Sequence, residues 1–225
     1  MKRLTSLLRP RALALAAGAV AAMASGAASA QTTFIGFTNG CFGTGCTPGT
    51  ANSPASALLT GSGLTYDNST FDVVSAGGVA GLGTQGQSTP AANVNNLGSW
   101  MLSGAPFSYG SNSFTLRVSF TAPPGTTPTS TLFNSTLTGN VVSTDNGGLF
   151  IDFDNTPHTF TFAGGGSFIL QISDVSLTPM GAPSPVASTG FISVMVPLSI
   201  PEPQTYAMLL AGLSVIGLMV RRRKR

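Results

Sequence analysis

The sequence predicts a mainly β protein: an antiparallel β-sandwich or jelly-roll-like domain over residues 31–199, followed by one transmembrane helix near the C-terminus. The domain is rich in Ser, Thr, Gly, Asn, Pro and Phe, a composition that favours short strands and turns. None of it shows sustained apolar spacing at i, i+3 and i+4, the pattern of an amphipathic helix. Turn signals recur every ~8–12 residues, which is typical of a sandwich.

The clearest predicted strand covers residues 113–121, where Phe114, Leu116, Val118 and Phe120 alternate with polar residues. Period-two alternation places the apolar side chains on one face, so we expect that face to pack on a core. Residues 81–98 are polar and rich in Gly, Asn and Gln, and are predicted to form a long loop. Further strands are predicted at residues 34–37, 64–66, 71–74, 131–138, 140–143, 149–154, 158–162, 167–177 and 192–198.

Residues 1–30 have the pattern of a secretory signal peptide. Its basic residues are Lys2, Arg3, Arg9 and Arg11. An apolar run at 12–24 and the sequence Ala28-Ser29-Ala30 follow, so cleavage is expected before Gln31. The alternative is an uncleaved N-terminal anchor, but the run is short for a ~20-residue span. The sequence therefore predicts export of the β domain.

A second targeting feature lies in residues 200–225. The uncharged run 204–220 is at the lower length limit for crossing a bilayer and is predicted to be a transmembrane helix. A basic tail follows it: Arg221, Arg222, Arg223, Lys224 and Arg225. Basic residues beside a span remain in the cytoplasm, so the domain is expected outside, in agreement with the signal peptide.

The triplet Pro201-Glu202-Pro203, the short apolar helix and the Arg-rich end together resemble the PEP-CTERM sorting domain of Gram-negative bacteria. Ile200 stands where that family usually has Val. The resemblance implies an inner-membrane-anchored precursor that an exosortase, a membrane-embedded cysteine transpeptidase, cuts close to the triplet. It also implies a final place on the cell surface or in the extracellular matrix, and an association with exopolysaccharide and biofilm. A simple single-pass anchor is the alternative.

The charge of the predicted mature domain excludes one class of partner. Between Gln31 and Ile200 there are six Asp, no Glu, no Lys and one basic residue, Arg117, which gives a net charge of −5. Nucleic-acid binding requires clustered Lys and Arg to replace phosphate counterions. We therefore expect no nucleic-acid partner.

The two cysteines, Cys41 and Cys46, enclose a short loop with two glycines. In an exported chain such a pair favours a disulfide. Zinc is the alternative, but two thiolates without a nearby His or second Cys pair do not complete a tetrahedral site.

Catalytic chemistry has few candidates in this composition. His158 is the only His, and it shares a predicted strand face with two Phe. A Ser-His-Asp triad needs a nucleophile and an orienting group around the base, and no Gly-x-Ser-x-Gly elbow is present. No catalytic residue is predicted, and the chain is expected not to be an enzyme. An Asp pair acting as in glycosidases stays open as an alternative.

Two binding sites are predicted. Asp152, Asp154 and Asn155 offer oxygen ligands near a strand end, which suits a structural Ca²⁺; the alternative is turn chemistry, in which Asp and Asn bind their own backbone. The groups Asp67-Asn68 with Asp72, and Asp145-Asn146, are lesser candidates.

The second predicted site is a glycan-stacking platform formed by Trp100, Tyr66 and Tyr109. For Trp100 a core position is the alternative, since it lies beside Met101 and Leu102.

Three functions follow from these observations. The first is a structural or adhesive protein of the surface or matrix that works with exopolysaccharide. The second is a carbohydrate-binding module that presents the aromatic platform, and the third is a secreted polysaccharide hydrolase. The resemblance covers only the C-terminal segment, so the domain's function rests on association through the tag.

Overall fold

The structure is a computed structural model that describes residues 31–83, 95–179 and 185–195, together with Gly212, Leu213 and Ile216. The described domain is mainly β, and every strand pair in it is antiparallel. This confirms the predicted fold class. The predicted signal peptide, and the predicted sorting segment apart from Gly212, Leu213 and Ile216, lie outside the described residues, and the boundaries given for them stay predictions.

Fifteen strands occur in the described ranges. In chain order they are β1 (Thr33–Phe42), β2 (Ser56–Leu59), β3 (Leu64–Asp67), β4 (Thr70–Val74), β5 (Val79–Leu82), β6 (Ser99–Leu102), β7 (Phe107–Ser108), β8 (Asn112–Ala122), β9 (Ser130–Ser143), β10 (Asn146–Phe153), β11 (His158–Phe162), β12 (Gly166–Ile172), β13 (Val175–Leu177), β14 (Val186–Ala187) and β15 (Gly190–Met195).

These strands form three sheets. The large sheet has the order β13-β10-β9-β8-β1-β4, with β7 also paired to β9. The second sheet has the order β11-β12-β15-β5, and the third has the order β14-β6-β3-β2.

Aromatic contacts place both small sheets against the inner face of the large sheet. Phe120 of the large sheet lies 4.9 Å from Phe168 of the second sheet, centroid to centroid, and Phe114 lies 4.6 Å from Trp100 of the third sheet. Buried side chains from all three sheets form one core cluster. This two-layer packing fits the predicted β-sandwich; the jelly-roll variant stays a prediction.

The strand predicted at 113–121 is confirmed as β8, but both of its faces are covered. Phe114, Leu116 and Val118 are buried on the inner face, as the alternation predicted. On the outer face Thr115 and Ser119 are also buried. The segment after β1 covers this face.

Two hydrogen bonds hold that covering segment in place. The Arg117 Nε donates to the Pro48 carbonyl at 3.2 Å, and the Asn39 amide donates to the Ala51 carbonyl at 3.1 Å. The only basic side chain of the domain is therefore a structural donor.

Several predicted strands differ from the observed ones in extent. The two strands predicted at 131–143 form one strand, β9. Gly139 (φ 128°) lets this strand pass close to β10, at a point where the Cβ of any other residue would overlap the Gly148 carbonyl. The strand predicted at 167–177 is divided into β12 and β13. The predicted loop at 81–98 begins inside β5, and its part 84–94 lies outside the described residues.

The predicted transmembrane helix at 204–220 is not supported. Within the described residues no helix is long and apolar enough to cross a bilayer. Gly212, Leu213 and Ile216 are helical, and the rest of that run lies outside the described part.

The two aromatic rings that join the large and third sheets need a glycine beside them. Gly40 faces inward from β1, and a Cβ there would lie 2.5 Å from the Tyr66 ring and also overlap the ring of Phe114. The rings therefore pack directly on the backbone of β1.

We expect Gly40→Ala to lower the free energy of unfolding by about 1–3 kcal/mol, because overpacking forces rings off their rotamers. Gly110→Ala is the matched control, since a Cβ at Gly110 meets nothing within 4 Å and the change should stay within about 0.5 kcal/mol. Urea unfolding followed by Trp100 fluorescence measures both. Equal stability of the two variants would show that the close contact is not required.

Candidate functional site

A cleft of about 470 Å³ lies on the outer face of the large sheet, beside the loop that follows β1. We call it the outer-face cleft. Its lining is mostly small polar side chains and two carboxylates: Gly43, Thr44, Gly45, Ser113, Phe114, Thr115, Asn134, Ser135, Thr136, Asp152, Phe153 and Asp154.

Strand register brings these residues together from distant parts of the sequence. Thr115 on β8 pairs with Asn134 on β9, and the Asp154 backbone N–H donates to the Asn134 carbonyl at 2.9 Å. One rung further along, Thr136 pairs with both Ser113 and Asp152. Paired residues of antiparallel strands point to the same face, so these polar side chains share the outer face.

A hydrogen bond within the cleft fixes one of these side chains. The Thr115 hydroxyl donates to the Asn134 Oδ1 at 3.1 Å. The rung between the two polar rungs points inward and carries Phe42, Phe114, Ser135 and Phe153. The outer-face cleft therefore stands directly on the aromatic core.

The disulfide loop forms one wall of the cleft. Cys41 and Cys46 are bonded, which confirms the predicted disulfide. Gly43 and Gly45 both have positive φ, which allows the short loop to turn back. The Gly43 N–H donates to the Ser113 carbonyl at 2.9 Å, so the loop continues the pairing of β1 with β8.

The two carboxylates of the cleft differ in their surroundings. Asp152 is exposed at the end of β10. The Asp154 Oδ1 accepts the Thr156 hydroxyl at 2.5 Å and the Thr156 N–H at 3.0 Å. These bonds hold the pKa of Asp154 below its ordinary value, because they favour the ionised form.

The predicted calcium ligands are not brought together as one set. Asp152 and Asp154 line the cleft, but the Asn155 amide donates to the Asp174 Oδ2 at 3.3 Å. Asp174 also accepts the Phe153 N–H at 3.0 Å. Among the described residues, no three His, Cys, Asp or Glu side chains form a group that could hold a metal. Calcium binding stays a prediction.

The lesser calcium candidates have structural partners. The Asn68 Oδ1 accepts the Gly40 N–H at 3.0 Å, and its amide donates to the Asn39 Oδ1 at 3.0 Å. The Asp67 carboxylate accepts the Ser56 hydroxyl. Both residues line a second, polar pocket of about 480 Å³. Asp145 accepts the Thr144 hydroxyl at 3.4 Å in the turn between β9 and β10.

The prediction of an aromatic platform is wrong. Trp100, Tyr66 and Tyr109 are each 0% exposed. Their polar groups have internal partners: the Trp100 indole N–H donates to the Ser188 hydroxyl at 2.6 Å, and the hydroxyls of Tyr66 and Tyr109 donate to the Leu97 and Ser62 carbonyls. Burial of a ring gains more than its exposure once the polar tip is satisfied, so all three belong to the core.

Burial also changes the acid–base behaviour of Tyr66 and Tyr109. Desolvation raises the pKa of Tyr66 and of Tyr109 above the ordinary value. Both hydroxyls therefore stay protonated and donate hydrogen bonds within the core.

His158 occupies the predicted position on β11. It is half-buried, its ring meets that of Phe133 edge to face at 4.5 Å, and its Nδ1 lies 2.8 Å from the Thr131 Oγ1. It thus joins the second sheet to the inner side of the large sheet.

The C-terminal segment is assigned by comparison with known families. Residues 199–224 match the PEP-CTERM protein-sorting motif. The chain carries a PEP-CTERM sorting motif. The motif implies an exported, membrane-anchored precursor that an exosortase processes and that is sent to the cell surface. No curated protein and no solved structure matches the chain.

Apart from Gly212, Leu213 and Ile216, the PEP-CTERM residues from Pro201 to Arg225 lie outside the described part of the structure. Sequence reasoning identified that segment but missed most of the outer-face cleft. The sequence pattern places Ser113, Thr115, Asn134 and Thr136 only within two predicted strands, and the sequon formed by Asn134, Ser135 and Thr136 is a chance match in a Ser/Thr-rich chain. The only signal for them was their place on the solvent side of two predicted strands, and their proximity depends on a register that the sequence does not show.

We expect Thr156→Val to raise the pKa of Asp154 towards the ordinary value of about 3.9. The stabilisation from the lowered pKa is present above that value and is lost as the pH falls through the folded pKa, so the variant should lose less stability on acidification than the wild type. A carboxyl NMR titration measures the pKa, with Thr138→Val, on exposed β9, as control. An unchanged Asp154 pKa would contradict the assigned cause.

Proposed function

We propose that this PEP-CTERM protein is a non-enzymatic, structural or adhesive protein of the cell surface or matrix. Its outer-face cleft contacts a hydroxyl-rich extracellular polymer, of the exopolysaccharide class that supports biofilm. The observation that carries this proposal is the cleft itself: an open depression on paired strands, in which hydroxyl, amide and carboxylate groups lie beside Phe114, Phe153 and two glycines.

The chemistry of the lining supports a neutral, hydroxyl-bearing ligand. Carboxylates and amides accept and donate hydrogen bonds to hydroxyl groups, and hydrogen bonds to charged groups are the stronger ones. The domain has a net charge of −5, and Arg117 is bound to Pro48 and Ser130. Anionic polymers would therefore be repelled, and hydroxyl-rich neutral chains are favoured.

The position of the cleft on the fold also supports this function. The strand β1 begins beside the mature N-terminus expected at Gln31, and it ends at the disulfide loop that walls the cleft. Ten residues of strand separate these ends by roughly 30 Å. The cleft is thus at the end of the domain opposite to the start of the chain.

The lowered pKa of Asp154 does not favour the hydrolase alternative. A glycosidase needs one carboxyl with a raised pKa to act as the general acid. The Thr156 bonds hold the pKa of Asp154 down, which favours the ionised form. An ionised, hydrogen-bonded carboxylate suits binding of sugar hydroxyls.

The processed protein, recovered from cells, should co-sediment with the host's own purified exopolysaccharide. We expect the double variant Asn134→Ala/Asp152→Asn to bind about tenfold more weakly, because it loses a hydrogen bond to a charged group. The matched control is Asn140→Ala/Asp145→Asn, whose residues are exposed outside the cleft. The assay is run with added calcium and with a chelator.

Each result has a definite meaning. Loss of wild-type binding with the chelator would support the predicted calcium site at Asp152 and Asp154. Equal binding by both double variants would remove the cleft from the function. No saturable wild-type binding in either buffer would contradict the proposal and favour a protein partner.

Sorting gives an independent prediction. Replacing Pro201, Glu202 and Pro203 with alanine should leave the protein in the inner membrane, because the exosortase recognition element is lost. Cell fractionation and the mass of the surface product measure this. Normal release of the variant, compared with Pro179→Ala as a proline control, would contradict the role assigned to the motif.

A further inference from the structure

We propose that the outer face of the second sheet rests on the lipid surface while the precursor is anchored, and leaves it when the anchor is removed. The face is defined by Val79 on β5, Ile169 on β12, and Phe191 and Met195 on β15. We call it the exit face, because the described chain leaves the domain at Met195.

The exit face is apolar and unpartnered in the described structure. Val79, Phe191 and Met195 are 48%, 41% and 50% exposed. Register places them as neighbours: Ser193 pairs with both Val79 and Ile169, and Phe191 and Met195 flank it on the same face. The outward residues of this sheet include no charged side chain; the others are Thr159, Thr161, Ser167, Gln171, Ser193 and Gly81.

The length of chain beyond Met195 determines what this face can reach. Residues 196–203 separate Met195 from Gln204, where the uncharged run of the sorting segment begins. A fully extended chain of this length spans about 30 Å at most. In the anchored precursor the exit face is therefore held within about one domain diameter of the bilayer.

The two ends of the domain meet at the same corner. The Thr32 N–H donates to the Ser75 Oγ at 2.9 Å, close to the start of β1. A few residues along the same connection, the Gly78 carbonyl accepts the Val194 N–H at 2.7 Å, one residue before the chain exits. The short β4–β5 connection thus joins both ends, and this corner is the end nearest the anchor.

Charge selects lipid of neutral headgroup as the occupant. A face without Lys or Arg has no electrostatic attraction to anionic lipid, and the domain's net charge of −5 opposes its approach to an anionic bilayer. Three half-exposed apolar side chains give a weak contact alone. A short tether raises the effective concentration to the millimolar range, which makes a weak contact persist.

The same tether makes the contact reversible. Once the exosortase cuts near Pro201, the effective concentration is lost and the weak contact dissociates. The exit face would thus hold the domain in a fixed orientation, with the outer-face cleft turned away from the bilayer, only until processing.

The test uses the membrane-anchored precursor, purified from cells without exosortase activity and reconstituted in phosphatidylcholine vesicles. Dilute hydrogen peroxide oxidises exposed methionine, and mass spectrometry gives the rate for Met195, with Met101 as internal reference. We expect Met195 to react several-fold more slowly in the wild type than in Val79→Ser/Phe191→Ser. The control variant Leu58→Ser/Val142→Ser changes residues that are 60% and 53% exposed and lie outside the exit face. Its Met195 should be oxidised at the wild-type rate.

Two further measurements make the outcome decisive. Exosortase cleavage of the unsubstituted precursor should restore rapid oxidation of Met195, which needs no variant to fold. Adding phosphatidylglycerol should not slow the reaction further. Equal rates in the wild type and the double variant would overturn the proposal. Protection that appears only when catalytically inactive exosortase is present in the vesicle would also overturn it, and would assign the face to a protein.

Discussion

The packing of Phe114 between Trp100 and Tyr66 is the contact on which the sandwich depends. The Phe114 ring lies 4.6 Å from Trp100 and 4.8 Å from Tyr66, and the two partners lie 4.8 Å from each other. This triangle joins the large sheet to the third sheet. Each polar tip then secures a further segment: the indole N–H binds Ser188 beside β14, and the Tyr66 hydroxyl binds Leu97 before β6. Two short strands with few ladder bonds are thereby fixed in place.

The same strands carry the core on one side and the outer-face cleft on the other. Phe42, Phe114 and Phe153 point inward from a rung that lies between the two polar rungs of the cleft. Because inward and outward residues alternate, a register shift of one residue would exchange the cleft and the core. The aromatic packing that prevents such a shift therefore also positions Asn134 and Asp152. A binding site on paired strands is held more firmly than one on loops.

The sequence predicted the strands whose alternation is local, and it missed the contacts that depend on distant partners. β8 could be predicted because four apolar residues repeat at period two. The position of Trp100 could not be predicted, because its burial depends on Ser188, which is 88 residues away. The spacing of Asn155 beside Asp152 and Asp154 predicts a shared metal site, but its amide binds Asp174 across the end of β10, which no spacing indicates. For the cleft, Thr115 and Asn134 are 19 residues apart and meet only through the pairing of β8 with β9. The Pro-Glu-Pro segment was recognised because its information is contiguous.

The near absence of basic residues constrains how an exported domain of this kind can bind anything. Arg117 is the only cation between Gln31 and Ile200, and its guanidinium is bound within the domain, so no long-range attraction towards anions is available. Contacts must then be short-range, through hydroxyl and amide groups or through apolar side chains.

The fold places the polar and the apolar contact surfaces at opposite ends of β1. The polar cleft lies beside Cys41, and the apolar exit face lies near the corner at Ser75. Because both ends of the described domain meet at that corner, any anchor that holds the chain there leaves the cleft roughly 30 Å away, facing outward. The topology, more than any single side chain, therefore determines which surface lies farthest from the anchored end of the chain.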